Sequence, residues 1–561
     1  MEIDENRLSE KADGFFIVCF NISQTFLKQL ANVQAVYYRH RNKQQQTESE
    51  EYVMNNTMTT ERVRAGQPYL YRKNGLPSEV YEIRMTNFVE HSALNAALDM
   101  TMQRYPYFKV RYEEHEGDFY AVENDLPIEA YESEELIPLG GEENNYYLIG
   151  VTHHAKSICV SFHHGLADGR GVKSFVETLI YYYCQAAYGS MAESEGILTA
   201  DDTIADTEIC EPCGSKYNID RNDLKKIKGV SRKGFTLPET KAPKAAHRRY
   251  ELKFPQADFI NLCKANGASP VVMLSVMMSR AIRKLYPDSK EVINSNFPVD
   301  ARAALGCEGT YKNCVKSISL PYGESEAQMS TEELCSYYKH LMNKQRTPER
   351  CKDEFNKIIM LLNVVSHLHS FGKKRAVMRI LDDLKLDTYL ISYIGQFRFN
   401  ENERYVESVH LYSDCSSGLV MNITCQCGYF IIDFTQDFEG DKYVNALAES
   451  FTSAGIPLSV SVEIMYSTPC DMLMRDMPSE KVIDTGYVSL WDKTVSANVN
   501  AFRYIERKTV GGYTAIENAF VKAFLLDDGE TVSDAKLRLA EEQLQRCIAK
   551  RDAILKHRHI A

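Results

Sequence analysis

The stretch His163-His164-Gly165-Leu166-Ala167-Asp168-Gly169 gathers two imidazoles, a carboxylate and two glycines into seven residues. Histidine has an unperturbed pKa near ~6.5, so it can take a proton from a nucleophile at neutral pH and hand it on. A segment ending in such histidines has the makings of a proton-transfer site. The plainer reading is a histidine pair that closes a buried strand and is satisfied by hydrogen bonds. For one histidine that reading is the ordinary one; the full seven-residue pattern favours a site. His153-His154, ten residues upstream, is an internal control: it is followed by Ala155-Lys156, with Ile158 where the acidic residue would fall.

Two elements must hold the turn. Ser157 to Phe162 alternates Ile158, Val160 and Phe162 with the smaller Cys159 and Ser161, which is strand periodicity. Beyond Gly169, the residues Val172, Phe175, Val176, Leu179, Ile180 and Tyr183 recur at helical spacing and predict one apolar helix face. Glycine tolerates a positive φ and close approach, so Gly169 and Gly171 suit the join. The earlier pair His153-His154 reads as the end of a preceding strand, with Ala155-Lys156 as the hairpin turn.

The turn matches an HHxxxDG signature and so resembles the chloramphenicol-acetyltransferase-like superfamily, which contains alcohol acetyltransferases and the condensation domains of nonribosomal peptide synthetases. Further segments are similar: Arg104-Tyr105-Pro106-Tyr107-Phe108-Lys109-Val110 to its R-H-P-x-L-R element, Asn296-Phe297-Pro298-Val299-Asp300-Ala301-Arg302 to its P-V-(D/N)-x-R segment, and Ser392-Tyr393-Ile394-Gly395 to its S-N-x-G strand. The similarity covers about residues 70 to 455. Two departures stand out: Asp433-Phe434-Thr435-Gln436 replaces the D-F-G-W-G segment of the plant-type branch, and Tyr393 replaces the asparagine of S-N-x-G.

The resemblance implies an α/β fold of two chloramphenicol-acetyltransferase-like subdomains, each of mixed sheet and helices, with an active-site tunnel between them. It implies acyl transfer from a CoA thioester to a small alcohol or amine, with acyl-CoA as co-substrate and no permanently bound cofactor. In that scheme His164 is the general base, and His163 supports the loop through a hydrogen bond. Asp168 turns away to pair with Arg302, Gly169 leaves room for the pantetheine arm, and Ser392 is a candidate oxyanion donor if its strand borders the channel. Two alternatives stay open: a free-standing condensation domain fed by a carrier protein, and a non-catalytic binding module that keeps the fold. The sequence shows neither an adenylation module nor a carrier serine motif.

At 561 residues the chain exceeds the ~250 to 300 at which single cores stop growing. The expected division is an N-terminal extension over 1–65, an N-terminal subdomain over 66–186, a connection over 187–246, a C-terminal subdomain over 247–455 and a C-terminal extension over 456–561. The second unit should carry a helix capped by Ser269 and Pro270, with Leu274, Met277, Met278, Ala281, Ile282 and Leu285 inward. In the last extension a helix from about Ser533 carries an apolar stripe, read either as docking on the main body or as self-association.

A net charge of −12 gives no broad electrostatic reason to bind nucleic acid or an anionic membrane. The short basic runs Lys225-Lys226-Ile227-Lys228 and His247-Arg248-Arg249 are enough for the phosphates of CoA and favour it over an acidic carrier as donor. The longest early apolar run, Phe15 to Phe20, is far below the ~20 residues of a membrane span. Fifteen cysteines without a disulfide-framework spacing, and an acidic start unlike a signal peptide, point to the cytoplasm. Cys210-x-x-Cys213 invites a zinc reading, but a structural site needs four ligands; a reduced, loop-borne pair is the expectation, and no metal is expected.

Overall fold

Strand β7 (Ser157–His163) forms where the alternation predicts it. It pairs antiparallel with β6 (Ile149–His154) across a turn in which Ala155 takes φ 49°. It is the middle strand of a five-stranded sheet ordered β12 (Val406–Ser413), β2 (Ser78–Met85), β7, β6 and β5 (Ala130–Glu132). On one face of that sheet Tyr81, Ile83, Val160 and Phe162 are fully buried. They pack with Leu94 and Leu98 of the helix His91–Arg104 and with Val172, Phe175, Val176 and Leu179 of the helix Gly169–Tyr188.

The structure, a computed structural model, describes residues 60–71, 78–115, 117–213, 234–241, 247–366, 371–382, 387–413, 418–436 and 438–465, all within one compact unit spanning Asn56–Asp484. The apolar run 15–20, the basic run 225–228 and the helix expected from Ser533 lie outside the described residues.

A second sheet of seven strands is ordered β10 (Val315–Tyr322), β9 (Ile293–Asp300), β11 (Tyr389–Tyr393), β13 (Leu419–Gln426), β14 (Tyr429–Gln436), β8 (His247–Pro255) and β15 (Ser459–Met465). The helix Pro270–Leu285 packs beneath it. It starts as its sequence predicts: Pro270 needs no N–H donor at the first turn, and the Ser269 hydroxyl accepts from Val272 N at 3.4 Å. Leu274, Met278 and Ile282 join Tyr443, Val444, Leu447 and Phe451 of the helix Lys442–Ser453 in this second core. A small third sheet is ordered β1 (Thr60–Arg62), β4 (Asp118–Glu123) and β3 (Val110–His115). The whole is the mixed α/β fold that the resemblance implies.

Strand β12 comes from the C-terminal half of the chain yet lies at the edge of the first sheet, antiparallel to β2. Its buried His410 contacts Asp433 of β14 through Nδ1 at 3.0 Å and Ser408 through Nε2 at 2.9 Å, while Arg249 of β8 donates to the Tyr412 hydroxyl at 2.6 Å. The His410–Asp433 and Arg249–Tyr412 bonds tie the five-stranded sheet to the seven-stranded one. Arg249, expected near a phosphate-binding surface, is instead buried in this polar seam. Strands β1 and β15 extend regular structure to either side of residues 66–455.

In the connecting region, Glu208 forms a two-bond pair with the buried Arg104 at 2.8 and 3.0 Å and accepts from the Tyr107 hydroxyl at 3.0 Å. Cys210 departs from expectation. It is not half of a reduced pair with Cys213 but is disulfide-bonded to Cys307, with Cα atoms 5.7 Å apart, while Cys213 is a buried thiol. Spacing along the chain suggested a local pair; folding brings a partner from 97 residues away.

Candidate active site

The histidine turn leaves β7 at its C-terminal end and runs into the helix Gly169–Tyr188. Asp168 is that helix's N-cap: its Oδ1 accepts from Gly171 N at 2.8 Å, satisfying one of the free N–H groups of the first turn. The same oxygen accepts from Arg302 Nη2 at 2.6 Å, and Oδ2 accepts from Cys314 N at 2.9 Å. With three donors on a fully buried carboxylate, Asp168 is occupied as a structural anion.

Arg302, 3% exposed, matches that anion and spends its other donors locally. Nε donates to Thr310 O at 2.8 Å, Nη1 to Asp300 Oδ1 at 3.1 Å, and Nη2 also to Lys312 O at 3.1 Å. Burial acts to lower its pKa, but Asp168 and Asp300 outweigh it and hold the guanidinium firmly charged. The loop 306–314 therefore wraps the arginine and reaches the turn a second time, where Asn313 Nδ2 donates to His164 O at 2.7 Å.

The two histidines have different surroundings. His163 is 1% exposed, and its Nδ1 accepts from Gly165 N at 2.8 Å, which leaves the ring proton on Nε2. Burial, with a smaller contribution from His164, pushes its pKa down to about 3, so it is neutral at ordinary pH. His164 contacts Ala167 O through Nδ1 at 3.2 Å. A carbonyl oxygen only accepts, so Nδ1 is the donor in this contact, and in the neutral ring the lone pair is then on Nε2. The ring stacks on Tyr69 with centroids 4.0 Å apart and planes inclined by 16°. Nε2 faces Glu79 Oε1 at 3.9 Å, and the two side chains are 16% and 15% exposed, so a small molecule can touch both.

At Gly169 an added Cβ meets Ile394 Cδ1 and the Tyr81 hydroxyl at 2.7 Å and Glu79 Oε2 at 3.2 Å. The room left by that glycine is filled by protein, and Tyr81 Oη donates to Gly169 O at 2.8 Å. Ser392 is half-buried on β11 and makes no hydrogen bond to the turn; from that part of the chain, Ile394 is the residue in contact with Gly169. The structure thus brings together His163, His164, Asp168, Gly169 and Arg302, and Ser392 makes no hydrogen bond to any of them. A cavity of about 840 Å³ opens along the first turns of the helix, on the Arg302 side; its walls include Arg170, Lys173, Tyr311 and Arg398.

Glu79, Tyr69, Asn313 and Cys314 were not anticipated. For Glu79 a signal existed: it shares the β2 register with Tyr81, Ile83 and Met85, so it is an acid on an otherwise apolar face. Among the described residues no cluster of histidine, cysteine and acidic side chains has the arrangement of a metal site, and no helix is long and apolar enough to cross a membrane.

No family model matches the chain, and no curated protein matches it in sequence. Solved structures do. Trichothecene 15-O-acetyltransferase from Fusarium sporotrichioides aligns with a TM-score of 0.50 at 14% identity, over 72% of this chain and 97% of that one. Polyketide synthase associated protein 5 from Mycobacterium tuberculosis aligns at 0.48 and 12% identity, over 71% and 99%. The epimerization domain of the third module of tyrocidine synthetase B aligns at 0.47 and 11% identity, over 72% and 97%. The chain has the fold of the Fusarium acetyltransferase, a mixed α/β architecture spanning almost all of that enzyme.

Proposed function

We propose that the protein is an acyltransferase that moves an acyl group from a CoA thioester to a small alcohol or amine, with His164 as general base. The observation that carries the reading is the setting of the His164 ring: Nδ1 is committed to Ala167 O, which puts the lone pair of the neutral ring on Nε2, and the side chain is 16% exposed. The acceptor's O–H or N–H donates to Nε2 as its oxygen or nitrogen attacks the thioester carbonyl carbon. When the tetrahedral adduct collapses, the C–S bond breaks and the imidazolium returns the proton to the departing thiolate. The products are the ester or amide and free CoA. Asp168 and Arg302 transfer nothing; they hold the turn in place.

Acyl-CoA as donor fits the cavity beside the turn, where Arg170, Lys173 and Arg398 would exchange their present partners Asp300, Gln396 O and Gly196 O for phosphate oxygens. A fold shared with an acetyltransferase agrees with this chemistry. A cytoplasmic location remains a proposal drawn from cysteine usage, and the Cys210–Cys307 bond weighs against it. The test is incubation with a panel of acyl-CoA thioesters and pooled alcohols and amines, with products read by mass spectrometry. His164→Ala is expected to cost roughly 10² to 10⁴ in turnover, and His163→Ala less. Undiminished turnover by His164→Ala removes the mechanism.

A further inference from the structure

The His164 base has a second proton acceptor beside it. Glu79 Oε1 lies 3.9 Å from Nε2, too far for a hydrogen bond and close enough for one bound atom to touch both. Among the described residues no hydrogen bond reaches the Glu79 carboxylate, and the one basic group within ion-pair distance is His164. The other polar groups around it are committed: Asp168 is held by Arg302, Gly171 and Cys314, and the Tyr81 hydroxyl by Gly169 O. A mostly buried carboxylate without donors is costly to keep unless something supplies them.

We infer that Glu79 binds the acceptor's nucleophilic atom together with His164, and that this atom is the nitrogen of a primary amine. The inference rests on the acyltransferase reading above and specifies its acceptor.

Geometry and proton count both favour nitrogen. Seen from an atom about 3 Å from each, acceptors at this separation subtend about 80°, so two N–H bonds at the tetrahedral angle reach both with a bend of about 15° apiece. A hydroxyl has one hydrogen and leaves one acceptor empty. A primary amine also arrives as an ammonium near neutral pH, since its pKa is about 10, and must shed two protons on the way to an amide. The steps balance with two acceptors. R–NH₃⁺ gives a proton to the Glu79 carboxylate, and R–NH₂ then attacks the thioester carbon while its second proton moves to His164 Nε2. The C–S bond breaks, the imidazolium protonates the thiolate, and Glu79 releases its proton to solvent. Burial raises the Glu79 pKa, His164 lowers it and Asp168 raises it; the net direction is upward, which makes the carboxylate a better proton acceptor.

The full-length protein is assayed with saturating acetyl-CoA and matched acceptors, benzylamine against benzyl alcohol and butylamine against butanol. The parent is expected to favour the amine in kcat/KM by about thirtyfold or more, the worth of a hydrogen bond to a charged group. Glu79→Gln keeps the side-chain size but cannot take a proton; it should bring the ratio down to about one. Between about pH 7, above the ordinary histidine range, and the pKa of the amine, the parent should show a nearly flat pH profile. The variant must capture free amine, so its rate should climb about tenfold per pH unit. A purely structural role for Glu79 would lower both acceptors alike and leave the slope unchanged, and that result overturns the inference. Should Glu79→Gln misfold by circular dichroism, the parent's acceptor ratio and pH profile decide alone. Transfer to alcohols that depends on His164, with amines inert, defeats the amine assignment and leaves the acyltransferase reading standing; no transfer to either class defeats both.

Discussion

Asp168 and Arg302 stand 134 residues apart in the chain and meet at 2.6 Å with almost no solvent on either side. The contact joins the N-cap of the helix that follows the histidine turn to the short helix Arg302–Leu305 that follows β9. One ion pair therefore sets where the first half of the fold ends its turn and where the second half begins its loop.

Removing either partner strands a buried charge. Asp168→Asn and Arg302→Ala are each expected to lower stability by ~3 to 5 kcal/mol and to reduce turnover. The double mutant should lose less than the sum, with a coupling of ~0.5 to 3 kcal/mol, because the second substitution removes a charge already left alone. Denaturant unfolding of the four proteins measures this. Additive losses would mean that the two side chains do not meet in solution.

His163 makes stability depend on pH. Its folded pKa is near 3, below the unfolded value of ~6.5, so the unfolded chain binds the proton first. Stability should fall as pH drops from ~6.5 towards 3, by up to about 1.4 kcal/mol per unit from this group. His163→Asn offers an oxygen to Gly165 N in place of Nδ1 and does not titrate there. Its unfolding midpoint should fall less steeply between pH 7 and pH 4 than the parent's; identical slopes would assign the acid sensitivity to other groups.

Much of the turn was legible because its signals are local. Strand alternation before His163, helical spacing after Gly169 and the Ser269-Pro270 start each occupy a few consecutive residues, and each element formed where expected. Arg302 was reached by resemblance, not by periodicity. Glu79 was not reached, because only the pairing of β2 with β7 sets it opposite Phe162 and thus beside His164. Asn313 and Cys314 escaped for another reason: Cys314 acts through its backbone N–H and Asn313 binds the backbone carbonyl of His164, groups that any sequence supplies. Strand β12 reads as part of the second unit by position and joins the first sheet by pairing.

The Cys210–Cys307 bond closes a loop over a sequence separation of 97 and fastens the connecting segment to the loop around Arg302. Cys210→Ser and Cys307→Ser should each lose ~2 to 4 kcal/mol relative to the oxidised parent. Under a dithiol reductant that difference should vanish, because the parent then lacks the bond too. Peptide mapping without reduction identifies the linked pair directly. Equal stability of parent and variants under oxidising conditions would show that the bond does not form.

Gly171 brings two general expectations into conflict. It sits in the first turn of the helix Gly169–Tyr188, where replacing glycine by alanine ordinarily stabilises by up to about 1 kcal/mol. Here the added Cβ would lie 2.0 Å from Tyr311 O, a backbone atom that no rotamer change moves aside. Tyr311 is itself pinned, its N–H to Glu208 O at 3.1 Å and its ring stacked on Tyr107 at 4.6 Å. Relief must come from moving the loop, whose next residues hold His164 O and Asp168. The steric term should therefore win, with Gly171→Ala destabilising by ~1 to 3 kcal/mol and lowering acyl transfer as the turn shifts. Thermal unfolding and turnover of the single variant test both. A gain in stability would mean that helix propensity prevails and that the loop does not press on the start of the helix.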